Sequence, residues 1–345
     1  MKNSKVKAIL MSGLMAASMM IMPMSAMAEE TTTYPTVTVD KTLQMANGVD
    51  DPNVTFTYNL VQDTTATPTA PESVTIDNPL LTISSTDLVA NSLNKTVEAT
   101  GLETVMKKQQ TAGKYGVYTF TLTEAAPNPV PTGWTYSDAS YKVRAYVSEK
   151  SIGYTIEGTD GKKDKAAFTN KYVKTDGKLT ISKTVQNDYA DKTQEYSFTI
   201  KFYNDKNGYN DENTKILVNN TEVGFGEEAS FVLKAGESLE IENIPVGVTY
   251  DLTESVQGLK NFTGGNFAVT EDGGTATTNT FTKDGPAKVE GKLVGDGTNT
   301  AVVTNTFETV TPTGVVTSIA PFIALIAIAA IAIAVYTSMK KRMTR

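Results

Sequence analysis

Six short stretches each place a polar residue on an otherwise apolar strand face. In TVTVDKTL (36–43) the two-residue alternation of an extended strand groups Val37, Val39, Lys41 and Leu43 on one side. KLTISKTV (178–185) repeats the arrangement with Leu179, Ile181, Lys183 and Val185. VYTFTLTEA (117–125) sets Glu124 with Tyr118, Phe120 and Leu122, and GVTYDLTES (247–255) sets Glu254 with Val248, Tyr250 and Leu252. KAAFTNKY (165–172) aligns Asn170 with Ala166, Phe168 and Tyr172, and AVVTNTFE (301–308) aligns Asn305 with Ala301, Val303 and Phe307. An inward lysine, an inward glutamate and an inward asparagine therefore follow one another twice along the chain.

An unpaired buried ion costs several kcal/mol, so such residues must be paired, neutralised or consumed in a reaction. A buried salt bridge, or a strand-end position reaching water, is one reading. The other is covalent. Burial lowers a lysine pKa and leaves a neutral, nucleophilic amine, and it raises a carboxyl pKa and keeps that group protonated. Such an acid held against an asparagine amide can hydrogen-bond the carbonyl oxygen and shuttle a proton to the leaving ammonia, yielding a Lys–Asn isopeptide bond. The reaction turns over once and needs no cofactor. Glu149 closes a further alternating run, Tyr141, Val143, Ala145 and Val147, and can take the place of Glu124.

The elements that must position these residues read as strands throughout. Short alternating runs rich in Thr, Val and Tyr are separated by Gly, Asn, Asp and Pro clusters, the pattern of an all-β sandwich, with no convincing amphipathic helix. A polar joint at Val173 to Gly177 divides two such sets, giving domains at 29–172 and 173–308. The 345 residues include no cysteine and no histidine, which removes disulfides, Cys/His zinc sites, thiol nucleophiles and imidazole catalysis. The loop NDKNGYNDEN (204–213) lacks the spacing of a calcium loop and reads as a surface turn, so no metal is expected. The lone Trp134 reads as packing.

The two ends carry addresses. Lys2, Lys5 and Lys7, an apolar run and Ala26-Met27-Ala28 form a secretory signal peptide over 1–28, cut after Ala28. Residues 315–336 are uncharged and long enough for a transmembrane helix, and Lys340, Lys341, Arg342 and Arg345 follow on the cytoplasmic side. Taking the three leader and four tail cations from the 31 in the chain leaves 24 against 38 acids, a body of net charge −14. With Arg144 as its single arginine, that body is a poor binder of nucleic acid.

Val310-Thr311-Pro312-Thr313-Gly314 stands directly before the apolar span. Residues 309–345 as a whole resemble a cell-wall sorting signal, which implies cleavage between Thr313 and Gly314 by a sortase. Together with the doubled Lys, Glu, Asn order, the chain resembles the sortase-assembled backbone pilins of Gram-positive bacteria, in particular the two-domain streptococcal type with isopeptide-linkage domains. The resemblance implies tandem Ig-like sandwiches whose first and last strands lie side by side. It implies a Lys41–Asn170 bond assisted by Glu124 and a Lys183–Asn305 bond assisted by Glu254. It further implies head-to-tail polymerisation through Thr313, with Lys163 preferred over Lys162 and Lys165 as acceptor, and attachment to peptidoglycan beside ancillary pilins. Val310 and Thr311 depart from the usual Glu-Val of that pentapeptide. A wall-anchored adhesin or ancillary pilin outside the shaft is the alternative.

Overall fold

The computed structural model describes residues 36–309 apart from residue 91. The signal peptide with Ala28, the Pro312, Thr313 and Gly314 triplet and the 315–336 span lie outside the described residues. Thr, Val, Tyr and Phe recur at alternating positions in the strands because branched and aromatic side chains pack well on a pleated, half-buried surface.

The first set of strands is β1 (Thr38–Met45), β2 (Thr55–Gln62), β3 (Leu81–Ser84), β4 (Asn94–Glu98), β5 (Gly116–Glu124), β6 (Trp134–Thr135), β7 (Ser140–Val147), β8 (Ile152–Gly158), β9 (Gly161–Lys163) and β10 (Ala166–Tyr172). They form two sheets, β4-β1-β10-β6 and β3-β2-β5-β7-β8-β9. Phe56, Tyr58, Tyr118, Phe120, Val143 and Phe168 are among the side chains filling the space between them. The second set is β11 (Gly177–Gln186), β12 (Tyr196–Tyr203), β13 (Ile216–Val218), β14 (Thr221–Val223), β15 (Glu228–Leu233), β16 (Ser238–Ile244), β17 (Thr249–Ser255), β18 (Phe262–Thr270), β19 (Thr277–Thr282), β20 (Lys288–Leu293) and β21 (Thr300–Phe307). Its sheets are β16-β11-β21-β18-β19 and β15-β12-β17-β20, with β13 and β14 as a small hairpin.

In both sandwiches the first and last strands are neighbours and run parallel, while all other pairs are antiparallel. Parallel pairing makes the chain enter at one end of each sandwich and leave at the other. Residues 173–176 then lead into the second sandwich through a built joint. Val246 packs into the first core, and its N–H donates to the Lys174 carbonyl at 2.9 Å. The Asp296 N–H donates to the Gly48 carbonyl at 2.8 Å, and its carboxylate pairs with Lys174. Gly247, at φ +92°, lies so close to Ala46 that an added Cβ would sit 2.3 Å from that methyl. Glycine is required there both by the left-handed backbone and by the contact.

The all-β expectation holds, with two helices added to it. α1 (Ser85–Ala90) and α2 (Thr100–Thr111) are inserted beside β4 in the first sandwich. α2 buries Leu102 and Met106, one turn apart on the face that covers β7 and β8. Its stripe is narrow, and Gly101, Thr104 and Val105 are weak helix formers, so packing rather than propensity holds it. Met106→Ala is therefore expected to destabilise the first domain by about 2–5 kcal/mol, read from Trp134 fluorescence in guanidinium.

Candidate functional site

The same constellation is assembled in each sandwich from three strands. On β1 the alternation buries Val39, Lys41 and Leu43, and Lys41 is 0% exposed. Its neighbour across the parallel ladder is Phe168, so that Asn170 stands opposite Leu43, two positions further along. On β11 and β21 the register is identical in kind: Lys183 faces Val303, and Asn305 faces Val185. A two-residue offset keeps lysine and asparagine on one sheet face and side by side. The acids come from the facing sheet, Glu124 at the end of β5 and Glu254 near the end of β17.

In the first sandwich the Lys41 ammonium donates to both carboxylate oxygens of Glu124, at 2.9 and 2.8 Å. Asn170 Nδ2 donates to Glu124 Oε1 at 2.6 Å. In the second, Lys183 Nζ lies 3.0 Å from Glu254 Oε1, and Asn305 Nδ2 donates to the same oxygen at 2.7 Å. All four lysine and glutamate side chains are fully buried. An aromatic ring closes each site over the amine: Phe56 with its centroid 4.2 Å from Lys41 Nζ, and Tyr196 at 4.5 Å from Lys183 Nζ.

Burial pushes both lysines down from 10.5 to about 8, with the attraction of the paired glutamate acting against the shift. Burial likewise raises the Glu254 carboxyl, opposed by Lys183 and by the Asn305 hydrogen bond. The carboxylate thus bridges amine and amide nitrogen, placed to take a proton from one and give it to the other. The expectation that the acid hydrogen-bonds the amide carbonyl is corrected: in both sites it accepts from Nδ2. In the first sandwich Asn170 Oδ1 instead accepts from the Ser137 N–H at 2.8 Å. A backbone donor on one side and a carboxylate on the other leave the amide one orientation. Sequence reading missed Ser137 because a backbone N–H carries no residue signature.

Glu149 is exposed, beyond the end of β7, while Glu124 is the acid beside Lys41. Lys162, Lys163 and Lys165 are exposed on or just after β9, the edge strand of the six-stranded sheet. Lys163 pairs with Asp160 at 2.6 Å and Lys165 with Asp40 at 3.3 Å. Trp134 stacks on Tyr172 at 4.6 Å. In the 204–213 loop Asp205 accepts from the N–H groups of Asn207, Tyr209 and Asn210, which organises the turn. Among the described residues no cluster of three acids could hold a metal ion.

Each of the two sandwiches thus has parallel first and last strands that meet over a buried Lys, Glu, Asn set. Comparison with known proteins bears on this directly. Residues 37–173 match the Spy0128-like isopeptide containing domain, and residues 177–307 match a domain of unknown function (DUF7601). A pilin of Streptococcus pyogenes serotype M1 is 29% identical over 325 residues, covering 88% of this chain and 90% of that protein. A pilus tip adhesin of Streptococcus pyogenes is 40% identical over 79 residues, 23% of this chain and 11% of the adhesin. The crystal structure of the major pilin from Streptococcus pyogenes is 23% identical, covers 80% of this chain and 99% of its own, and superposes with a TM-score of 0.37. These likenesses support a structural subunit of a cell-surface pilus, similar to the streptococcal pilins, which are structural proteins.

The pKa directions predict an unusual pH profile for a domain held unlinked by Asn305→Ala. Between pH 8 and 10.5 the folded state binds fewer protons than the unfolded one at Lys183, so stability rises with pH there. From 4.5 upward the raised Glu254 binds more protons in the folded state, so stability falls. The domain should be least stable near neutrality, and the lysine arm should recover about 3 kcal/mol at high pH. Calorimetry across pH, referenced to a variant that also carries Lys183→Met and Glu254→Leu, checks the trough. A monotonic difference curve contradicts it.

Proposed function

We propose that each sandwich is closed by an intramolecular isopeptide bond, Lys41 to Asn170 and Lys183 to Asn305, with Glu124 and Glu254 as the proton shuttles. The observation that carries this reading is the doubled bridge of one buried carboxylate between a lysine Nζ and an asparagine Nδ2. Lysine Nζ attacks Asn Cγ, the Cγ–Nδ2 bond breaks, and ammonia leaves with the protons carried over by the carboxyl group. Proton transfer from ammonium to carboxylate gives the reactive neutral pair at no change in total protonation. Tension entering at β1 then crosses to β10 at Lys41, and tension entering at β11 crosses to β21 at Lys183, so the rest of each sandwich is bypassed. The bonds enclose 129 and 122 residues, and loop entropy makes each worth about 4 to 5 kcal/mol besides.

Polymerisation rests on the sequence ends. A sortase cuts after Thr313 and passes its acyl group to a lysine of the next subunit, which gives an open head-to-tail fibre that ends on peptidoglycan and accommodates ancillary pilins. Lys163 is the preferred acceptor. It lies on an edge strand, exposed, and its Asp160 partner is itself solvent-facing.

Two bonds should lower the intact mass of the mature protein by roughly 34 Da, one ammonia each. Glu124→Ala and Glu254→Ala should each restore half of that loss. An unreduced wild-type mass contradicts both bonds. On wall extracts an immunoblot should show a high-mass ladder that Lys163→Ala abolishes. A single band in the wild type contradicts the shaft role, and an intact ladder in the variant moves the linkage to another lysine.

A further inference from the structure

We infer that the backbone N–H of Ser137 is an oxyanion donor for bond formation in the first sandwich, and that the second sandwich has no counterpart. The inference rests on the isopeptide reading above and adds the group that activates the carbonyl.

The geometry comes from an interrupted ladder. β6 is two residues long and pairs Thr135 with Lys171 and Trp134 with Tyr172 along the edge of β10. Its stacking on Tyr172 anchors Trp134, and the chain leaves the sheet after Thr135. The next two residues pass Asn170 outside any ladder, which frees a main-chain donor to turn toward a side chain. The Ser137 N–H takes Asn170 Oδ1 at 2.8 Å, within the range of a working oxyanion contact. In the second sandwich the matching edge of β21 is occupied by the full-length β18, with Gly265 opposite Asn305. Asn305 Oδ1 is buried there and receives no hydrogen bond from the described residues.

The chemical consequence is specific. As Lys41 Nζ bonds to Cγ, the Cγ–Oδ1 π electrons move onto oxygen. The charge that develops on Oδ1 grows against the Ser137 dipole, in a site from which water is excluded. Glu124, engaged with Nζ and Nδ2, is left to move protons. When Oδ1 re-forms its double bond, ammonia departs from Nδ2 and the donor is unchanged. In the second sandwich polarisation of the carbonyl must come from elsewhere, and among the described residues Glu254 is the group that hydrogen-bonds the amide.

The test uses the secreted body made by cell-free synthesis, acid-quenched at intervals and digested. The cross-linked Lys41–Asn170 and Lys183–Asn305 peptides are then quantified in the same sample, so the second bond is an internal clock. Ser137→Pro, which deletes the N–H, should slow the first bond about 10²–10³-fold and leave the second unchanged, as removal of an oxyanion donor does elsewhere. Ser137→Ala keeps the N–H and should match the wild type. Native Trp134 emission, three residues away, certifies the fold. If the proline variant loses it, a backbone ester at position 137 removes the same hydrogen with minimal disturbance and is judged by the same ratio. Equal rates for the N–H-deleted and Ser137→Ala proteins overturn the oxyanion role. Absence of both cross-linked peptides in the wild type overturns the isopeptide reading instead.

Discussion

A carboxylate in the middle of a hydrophobic sandwich constrains everything around it. Left alone it would cost several kcal/mol, and an ammonium beside it is no cheaper to bury unless the geometry is close and the remaining hydrogen-bonding capacity is used. Each sandwich meets that requirement with three strands from two sheets. The glutamate projects from one sheet into the gap between the lysine and the asparagine on the other. The sheet spacing, the parallel register and the aromatic lid over the amine all serve this contact. The depression of both lysines to about 8 shows that burial outweighs the attraction of the partner acid. A pair that is poorly stabilised as ions is placed to exchange its proton.

The parallel pairing of first and last strands links that chemistry to mechanics. In an antiparallel pair the chain would enter and leave at the same end, and tension would peel the strands apart. Parallel neighbours put entry and exit at opposite ends and load the pair in shear. Between the sandwiches, Asp296 on one side and Gly48, Asp50 and Lys174 on the other carry polar contacts across the joint, with Val246 seated in the first core. The two modules thus meet at a packed junction.

The two modules solve one problem with different surroundings. The second is the more regular, with full-length strands on both sides of β11 and β21. The first carries two helices, a truncated β6 and an irregular 136–139 segment beside its asparagine. That irregularity brings the Ser137 N–H onto Asn170, and its absence leaves Asn305 Oδ1 without a donor among the described residues.

Much of this was legible in the residues. The six strands lie within two residues of their alternating runs, because burial of one face enforces a period of two, and a polar residue in register with Val, Phe and Leu must point inward with them. The alternation therefore placed Lys41, Lys183, Glu124, Glu254, Asn170 and Asn305 on inward faces while leaving Glu149 as a rival acid, and the missing cysteine and histidine narrowed what chemistry they could do. Only the tertiary structure decided which acid stands beside Lys41: antiparallel β5 and β7 pair Gly116 with Val147, which sets Glu124 and the exposed Glu149 at opposite ends of one sheet. It also decided the orientation of the amide, the helical cover of α2 and the role open to Ser137. Those depend on main-chain donors and on packing across sequence separations of tens of residues, and neither leaves a periodic mark in the chain.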